Sequence, residues 1–417
     1  MDLQYRPVDS DESCDDVRPD VLMVTSELPW PLNTGGHLRT FHILKSLAGR
    51  CDVRLVAGVV APDDPGIGVL EETGVRVRAA VTGERNRLLE GCRAFRNLVR
   101  GEPYVMFHRH NREAIEAGIR RELADRTPDL VYLDHLDPLV YRPLFPKARL
   151  IADLHNVYSK LAGRVAEERF WPVGAYLRNE LRLLREMERR VAAEADTLMV
   201  VSDEERGEFQ SLGGRRVRLV PNGMDCSLYR HLPAGRDHDR PVLLYLGALS
   251  WQPNAKAAEF LARNVMPRVL REHPHSRLQI VGRNPGPEVE QLQRLPGIEV
   301  HANVPDVGVY LEQATLLAVP LDSGGGTRLK ILEAFAAGLP VVSTPIGCEG
   351  IDCTSGQHLW VAERDRFADA VLENLEAREL AREYAERGRL LAEKKYDWSV
   401  IGNLACAAVK EAVNGNC

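Results

Sequence analysis

Short apolar runs alternate with longer amphipathic stretches along the whole chain. Residues 21–26 (VLMVTS) have the composition of a buried strand, and residues 36–47 then repeat leucine and phenylalanine at helical spacing. Further strand candidates in this half read VRLVAG, VRVRAA, LVYLD, RLIADL, DTLMVVS and VRLVPNG. Strands that alternate with helices predict right-handed βαβ units and parallel sheets.

The same alternation restarts at residue 241, after the polar stretch 233–241, which has the composition of a linker. Strand candidates there read PVLLYLGAL, RLQIVGRNP, IEVHANVPD, TLLAVPLD and PVVSTPIG. The pattern therefore predicts an α/β chain with two doubly wound, Rossmann-like domains facing each other across a cleft. Ligands of such sheets bind beyond the carboxyl ends of the strands.

The predicted organisation has four parts. They are a loose acidic tail (1–18), a first domain (19–200), a second domain (201–395) and a C-terminal helix (396–417) whose apolar stripe would pack back on the first domain.

Composition excludes several classes of protein. Hydrophobic residues make up 44% and charged residues 27% of the 417, as in an ordinary globular protein and unlike a fibre or a disordered chain. The net charge of −6 argues against a general nucleic-acid binder, which needs a basic surface. The acidic N-terminus and the lack of a long apolar run predict a cytoplasmic protein. Eight scattered cysteines without a CxxC pair argue against a zinc site or a disulfide framework.

The segment 321–344, LDSGGGTRLKILEAFAAGLPVVST, carries the strongest chemical signal. Gly324, Gly325 and Gly326 would let backbone amides approach a ligand closely. Thr327 is the predicted N-cap of a helix over 328–337. A helix N-terminus suits a phosphate, because its amides lack partners and its dipole end is positive.

The charged residues of that helix fit the same interpretation. Arg328 and Lys330 are unfavourable cations in a first turn unless an anion joins them. Glu333 could accept hydrogen bonds from ribose hydroxyls. The alternative is a surface pair between Lys330 and Glu333, worth a few tenths of a kcal/mol. The segment contains neither a Walker A loop nor a dinucleotide fingerprint.

Several blocks of this sequence resemble one family in the expected order. GGGTRLKILEAFAAGLPVVSTPIGCEGI resembles a subgroup of the bacterial retaining glycosyltransferases of family 4 (group 1), which have the GT-B fold. The resemblance extends over roughly residues 19–413. It is also carried by LNTGGHLRT, DLHN, VVSDEERGEF, VRLVPNGMD, LLYLGALSWQPNAKAAEFL, LQIVGRNP, NVPDVGVYL and KKYDW.

The resemblance implies transfer of a hexose-type sugar from a nucleotide sugar, of the UDP or GDP type, to an acceptor hydroxyl with retention. The acceptor would belong to glycan, glycolipid or natural-product biosynthesis. No cofactor and no obligate metal is expected, since protein groups neutralise the leaving diphosphate.

Residue roles follow from the same resemblance. Glu333 would bind the ribose, and Gly324 to Thr327 would face the sugar and phosphates. Gly35 and Gly36 would approach the diphosphate from the first domain. His155 would be a catalytic residue near the sugar, orienting it or stabilising developing charge; the alternative is a buried histidine satisfied by the backbone. Asn222 and Gly223 would shape the turn between the domains.

Two departures from the family pattern stand out. Gly325 occupies the place of the usual first glutamate, so a side-chain contact to the donor sugar is absent. Ala248 to Trp251 replace the usual Arg and Lys after the first strand of the second domain. We expect Arg328 and Lys330 to supply that charge as catalytic cations, with Lys256 a weaker candidate.

Other functions remain open at this point. An epimerase would convert a nucleotide sugar without an acceptor, and a non-catalytic partner would bind it without turnover. A glycan phosphorylase would need a cofactor lysine and a much longer chain. The arginine-rich stretch 84–122 could contact an anionic membrane surface, at the inner face of the membrane, although a solvated helix face interleaved with glutamate explains it better.

Overall fold

The computed structural model describes residues 18–83, 87–105, 107–110, 112–167, 173–229, 239–323 and 327–415. Within these residues the chain forms two wholly parallel sheets, of seven and six strands. The predicted architecture of two doubly wound domains is therefore confirmed. The predicted acidic tail and most of the predicted linker lie outside the described residues.

The first sheet has the order β3-β2-β1-β4-β5-β6-β7 and the second β10-β9-β8-β11-β12-β13. The strands are β1 Asp20–Thr25, β2 Asp52–Val59, β3 Arg76–Val81, β4 Leu130–Asp134, β5 Leu150–Leu154, β6 Thr197–Val200, β7 Val217–Leu219, β8 Val242–Ala248, β9 Arg277–Arg283, β10 Ile298–Ala302, β11 Leu316–Val319, β12 Val341–Ser343 and β13 Trp360–Val361. Because β7 pairs with β6, the first sheet continues past residue 200, where the sequence placed the end of the first domain.

Helices cover both faces of each sheet. They are α1 Gly35–Ala48, α2 Pro65–Glu71, α3 Arg87–Arg100, α4 Glu113–Asp125, α5 Tyr158–Glu167, α6 Val173–Glu194, α7 Asp203–Ser211, α8 Gln252–Phe260, α9 Met266–Glu272, α10 Pro287–Glu290, α11 Gly308–Gln313, α12 Leu329–Ala336, α13 Phe367–Glu376, α14 Arg378–Lys395 and α15 Trp398–Asn414. In β1, Val21 and Met23 pack into one core layer and Leu22 and Val24 into the opposite one. This two-sided burial explains why the strand is a continuous apolar run.

The C-terminal helix α15 packs on the first domain, against α1. Ile401 and Ala405 share a buried cluster with Ile43 and Leu44. The ring of Trp398 stacks on His42, with centroids 4.6 Å apart. The last helix therefore returns to the domain in which the chain began.

The chain crosses between the domains twice, and the two crossings lie side by side. The Met224 amide donates to the Tyr396 carbonyl (2.8 Å), and the Trp398 amide donates to the Met224 carbonyl (3.0 Å). Gly223 is required by this approach, since a Cβ there would lie 2.8 Å from both the Tyr396 oxygen and the Trp398 ring. This lack of room for a side chain explains why a glycine is needed at the turn between the domains.

Helix α3 carries apolar side chains that face solvent. Phe95 is 68% exposed and Val99 72%, on a helix that also carries exposed Arg96 and Arg100. No helix among the described residues has the length and apolarity needed to cross a membrane. Contact of this helix with a membrane surface stays a prediction.

A buried ion pair ties α1 to the end of β5. Both side chains, Arg39 and Asp153, are fully buried. The guanidinium contacts both carboxylate oxygens, with its terminal nitrogen 2.6 Å from Oδ1, and the Tyr132 hydroxyl donates to Oδ2 (2.8 Å). Burial alone would raise the pKa of Asp153, but the Arg39 charge outweighs it and lowers the pKa to about 2.

Replacement of this carboxylate should destabilise the first domain strongly. In Asp153→Asn the Arg39 charge stays buried without its partner, which costs about 3–5 kcal/mol. Asp52→Asn is the matched control, because Asp52 pairs with the largely exposed Arg76, a class of pair worth about 0–1 kcal/mol. Calorimetric unfolding of both variants measures the difference, and equal losses would contradict the prediction. Because the folded pKa is depressed, this stability should be lost as the pH falls from about 4 to about 2.

Candidate active site

The carboxyl ends of both sheets border a cavity of about 590 Å³ between the domains. The first domain lines it with Asn156 and Pro221, among others, and the second domain with Trp251, Thr327 and Glu349. This is the position at which doubly wound sheets bind ligands. Of the site residues predicted from the sequence, Thr327 is the one among the described residues that lines this cavity, while Gly324, Gly325 and Gly326 lie outside the described residues.

His155 lies after β5 in a buried polar cluster, not in a pocket satisfied by the backbone alone. Its Nε2 is 3.1 Å from Asp134 Oδ1 and 3.5 Å from Asp153 Oδ2. Asp134 also accepts hydrogen bonds from the hydroxyls of Thr25 (3.1 Å) and Thr40 (2.9 Å). Burial would raise the pKa of Asp134, but the neighbouring histidines hold it well below its usual range.

A second histidine, His135, completes this cluster, and the sequence motifs did not indicate it. Its Nδ1 is 3.2 Å from Asp134 Oδ2, and its ring centroid is 3.7 Å from that of His155. Burial lowers the pKa of His135, but the Asp134 carboxylate outweighs this effect and raises it to about 9. The signal in the sequence was a polar pair, Asp134–His135, directly at the carboxyl end of a central strand.

The glycines of the first domain meet this cluster. Gly35 and Gly36 begin helix α1, which Thr34 caps by accepting from the His37 amide (3.2 Å). A Cβ on Gly36 would lie 3.7 Å from His135 Nε2 and 3.9 Å from His155 Nδ1. A Cβ on Gly35 would lie 3.5 Å from Leu329, in the second domain. The N-terminal ends of α1 and α12 therefore face each other.

A hydrogen-bonded chain links the two domains behind this point. Arg39 donates to the carbonyls of Val220 (2.7 Å) and Pro221 (2.9 Å) and to the Asn222 side chain (3.3 Å). The Asn222 amide nitrogen in turn donates to the Thr327 hydroxyl (3.0 Å). Asn222 thus does more than shape a turn, because it connects Asp153 through Arg39 to the start of α12.

The start of α12 differs from the sequence prediction. The helix begins at Leu329, with Arg328 at the cap position and no side-chain cap hydrogen bond. Thr327 was expected to cap a helix from residue 328. Its hydroxyl instead accepts the hydrogen bond from Asn222, a partner 105 residues away in the chain.

The two predicted cations take different environments. Arg328 is buried and donates to the Ile346 carbonyl (3.1 Å), with Glu349 at 3.6 Å. Lys330 donates to the Asn254 side chain (3.0 Å) and lies 4.5 Å from the centre of the Tyr245 ring. Burial and the Arg328 charge lower the pKa of Lys330 to about 7. Lys330 thus contacts β8 and α8, the two elements that flank residues 249–251.

Glu333 lies one turn further along α12 and faces Tyr229, whose hydroxyl donates to Oε1 (3.4 Å). Burial raises its pKa, although the Tyr229 hydrogen bond and the Lys330 charge oppose this shift. Lys330 donates to Asn254, and Glu333 accepts from Tyr229. The alternative of a surface pair between Lys330 and Glu333 therefore does not describe their contacts.

The ligand atoms of Asp134, His135 and His155 lie within 4.8 Å of one another, close enough to surround a metal ion. The Asp134 carboxylate of this cluster also accepts hydrogen bonds from Thr25 and Thr40. A metal-independent reaction stays a prediction.

Comparison with known proteins identifies the chain. Residues 35–228 match the family described as Glycosyltransferase Family 4, and residues 240–377 match Glycosyl transferases group 1. Together these matches span most of both domains. The chain is a glycosyltransferase.

Solved structures of similar fold support the GT-B architecture of this glycosyltransferase. Anabaena Alr3699/HepE, in complex with UDP and glucose, is 15% identical with a TM-score of 0.64, covering 94% of this chain and 100% of that one. Sucrose-phosphate synthase from Thermosynechococcus elongatus is 16% identical with a TM-score of 0.67, covering 96% and 100%. At these identities the likeness establishes the fold. No curated protein sequence matches this one.

The predicted cation Arg328 of the glycosyltransferase can be distinguished by mutation from Lys256, the weaker candidate. We expect Arg328→Ala to weaken nucleoside diphosphate binding about tenfold or more, the loss of one hydrogen bond to a charged group. Lys256→Ala should change it little, because Lys256 is exposed on α8. Isothermal titration of both variants, with circular dichroism to verify folding, makes the comparison. Equal losses would refute the assignment to Arg328.

Metal dependence of the glycosyltransferase is tested by chelation. EDTA treatment followed by gel filtration should leave nucleotide binding and turnover unchanged, because protein groups are expected to neutralise the leaving diphosphate. Loss of activity that added Mn²⁺ or Zn²⁺ restores would show that the enzyme requires an ion. Failure of the same ion to restore activity in Asp134→Asn would assign the ion to this cluster.

Proposed function

We propose that this glycosyltransferase moves a hexose-type sugar from a nucleoside diphosphate sugar, of the UDP or GDP type, to an acceptor hydroxyl with retention at the anomeric carbon. One observation carries the proposal. The N-terminal ends of α1 and α12, from opposite domains, meet at Gly35 and Leu329, next to the buried histidine cluster. Two helix N-termini in one cleft favour a ligand that carries more than one negative charge.

Within that cleft each residue would have a separate role. Glu333, half-buried on α12, would accept the ribose hydroxyls, while Thr327 and the glycines before it would face the sugar and phosphates. Lys330 hydrogen-bonds to neutral groups, so its positive form would be strengthened by an arriving diphosphate. His155, on the first domain, would lie against the transferred sugar.

The leaving diphosphate gains negative charge as the glycosidic bond breaks. Lys330, Arg328 and the α12 N-terminus would stabilise that charge in place, without the reorganisation that water would need. The acceptor hydroxyl would attack from the face that the diphosphate leaves, and the diphosphate could accept its proton. The crystal structure of HepE in complex with UDP-glucose supports a donor of this class for a protein of the same fold.

A non-catalytic sugar-nucleotide-binding role remains the second candidate, because Gly325 stands where the family pattern has a glutamate. An epimerase would also use the same fold. Turnover separates the three functions. A transferase releases nucleoside diphosphate, slowly when water receives the sugar and faster when an acceptor hydroxyl receives it. An epimerase changes the sugar and keeps the nucleotide intact, and a binding partner does neither.

The donor site is tested first by thermal shift with UDP, GDP, ADP and TDP. A ligand that binds the folded state adds about 2.7 kcal/mol of stability at a hundredfold excess over Kd. We expect one nucleotide to raise Tm in the wild type, and Glu333→Ala to lose the shift. Glu312→Ala, an exposed glutamate in the same domain, is the matched control. No shift with any of the four nucleotides would count against the proposal.

A further inference from the structure

We propose that His135 is a second ligand-binding side chain of the first domain and donates a hydrogen bond to the diphosphate of the donor. The inference rests on the proposed function and adds to it a residue for which neither the motifs nor the family comparison gives a role. Four observations support it: the backbone of His135, the direction of its ring, its exposure and its charge partner.

The backbone of His135 has a conformation that costs energy. The chain leaves β4 at Asp134, and His135 then has φ 78°, in the left-handed region that non-glycine residues rarely occupy. Its amide donates to the Asp153 carbonyl (2.9 Å), so the neighbouring strand holds the turn in place. Such conformations persist where the surroundings impose them and concentrate at ligand sites.

The two ring nitrogens of His135 have different neighbours, Asp134 for Nδ1 and the first turn of α1 for Nε2. Nδ1 faces Asp134 Oδ2 at 3.2 Å. A Cβ on Gly36 would lie 3.7 Å from Nε2, so the first turn of α1 passes directly beside that nitrogen. The amides of a first helical turn lack intrahelical acceptors. An anion at the N-terminus of α1 would therefore meet backbone amides and the Nε2 proton of His135 together.

Exposure and charge distinguish the two histidines. The His135 side chain is 27% exposed, whereas that of His155 is 5% exposed. Asp134 Oδ2 faces Nδ1 of His135, not Nε2, which is the nitrogen beside the first turn of α1. In the second domain, Arg328 already donates to the Ile346 carbonyl. A hydrogen-bond donor on the first domain would complement Lys330 on the opposite side of the diphosphate.

The test compares nucleoside diphosphates with their nucleosides. His135→Asn is the main variant, because asparagine tolerates the left-handed backbone and removes the imidazole ring. We expect it to weaken binding of the nucleoside diphosphate that stabilises the wild type by about tenfold, with little change for the matching nucleoside. The probes are UDP, GDP, ADP and TDP, each paired with its nucleoside and measured by isothermal titration.

The controls separate the possible failures. His301→Gln alters a histidine of similar exposure on β10, and binding should not change. If His135→Asn unfolds, His135→Gly replaces it, because glycine adopts the left-handed backbone without strain. Equal weakening for diphosphate and nucleoside would indicate a structural role and overturn the proposal, as would unchanged diphosphate affinity. If the wild type binds none of the four diphosphates, the proposed function fails before His135 is tested.

Discussion

The site depends on one buried ion pair, Arg39 with Asp153. A guanidinium fully removed from water is tolerated only when its donors are satisfied, and here they reach Asp153 and the carbonyls of Val220 and Pro221. Asp153 is thereby fixed beside His155, and the crossing segment is fixed beside α1. The Arg39 side chain thus contacts both Asp153, beside the histidine cluster, and the segment 220–222, which leads to the second domain. Without it, neither the ring positions nor the path between the domains would be defined.

The cleft is a joint product of two similar sheets. Each domain alone presents a helix N-terminus at the carboxyl edge of its strands, which is a common and unspecific feature. Across the cleft, the N-terminal ends of α1 and α12 come close together, since a Cβ on Gly35 would lie 3.5 Å from the Leu329 side chain. The return of α15 to the first domain and the paired crossings at Met224 and Trp398 stabilise this arrangement. The chemistry therefore depends on how the domains meet.

Sequence reasoning succeeded where the information was local. The period of apolar residues predicted strands, helices and the α/β class, because burial on both faces of a parallel sheet leaves a direct mark on composition. It also selected Gly36 and His155, which the structure places side by side. It was wrong about the cap of α12, because the Thr327 hydroxyl is used by Asn222. It recognised the β7 segment as a strand but ended the first domain at residue 200, because the sheet that a strand joins is decided by its pairing partner and not by its own residues.

The sequence by itself determined the repeated βαβ pattern, the glycine loops and the residue types available for phosphate and ribose contacts. These follow from hydrophobic period and from backbone freedom, which adjacent residues encode. Only the tertiary structure decided that Asp134 joins two histidines, that His135 is the more exposed of them, and that Lys330 turns towards Asn254. Those relations join residues from separate strands and helices. They depend on strand order and on burial, which set both distance and charge state and which no single segment specifies.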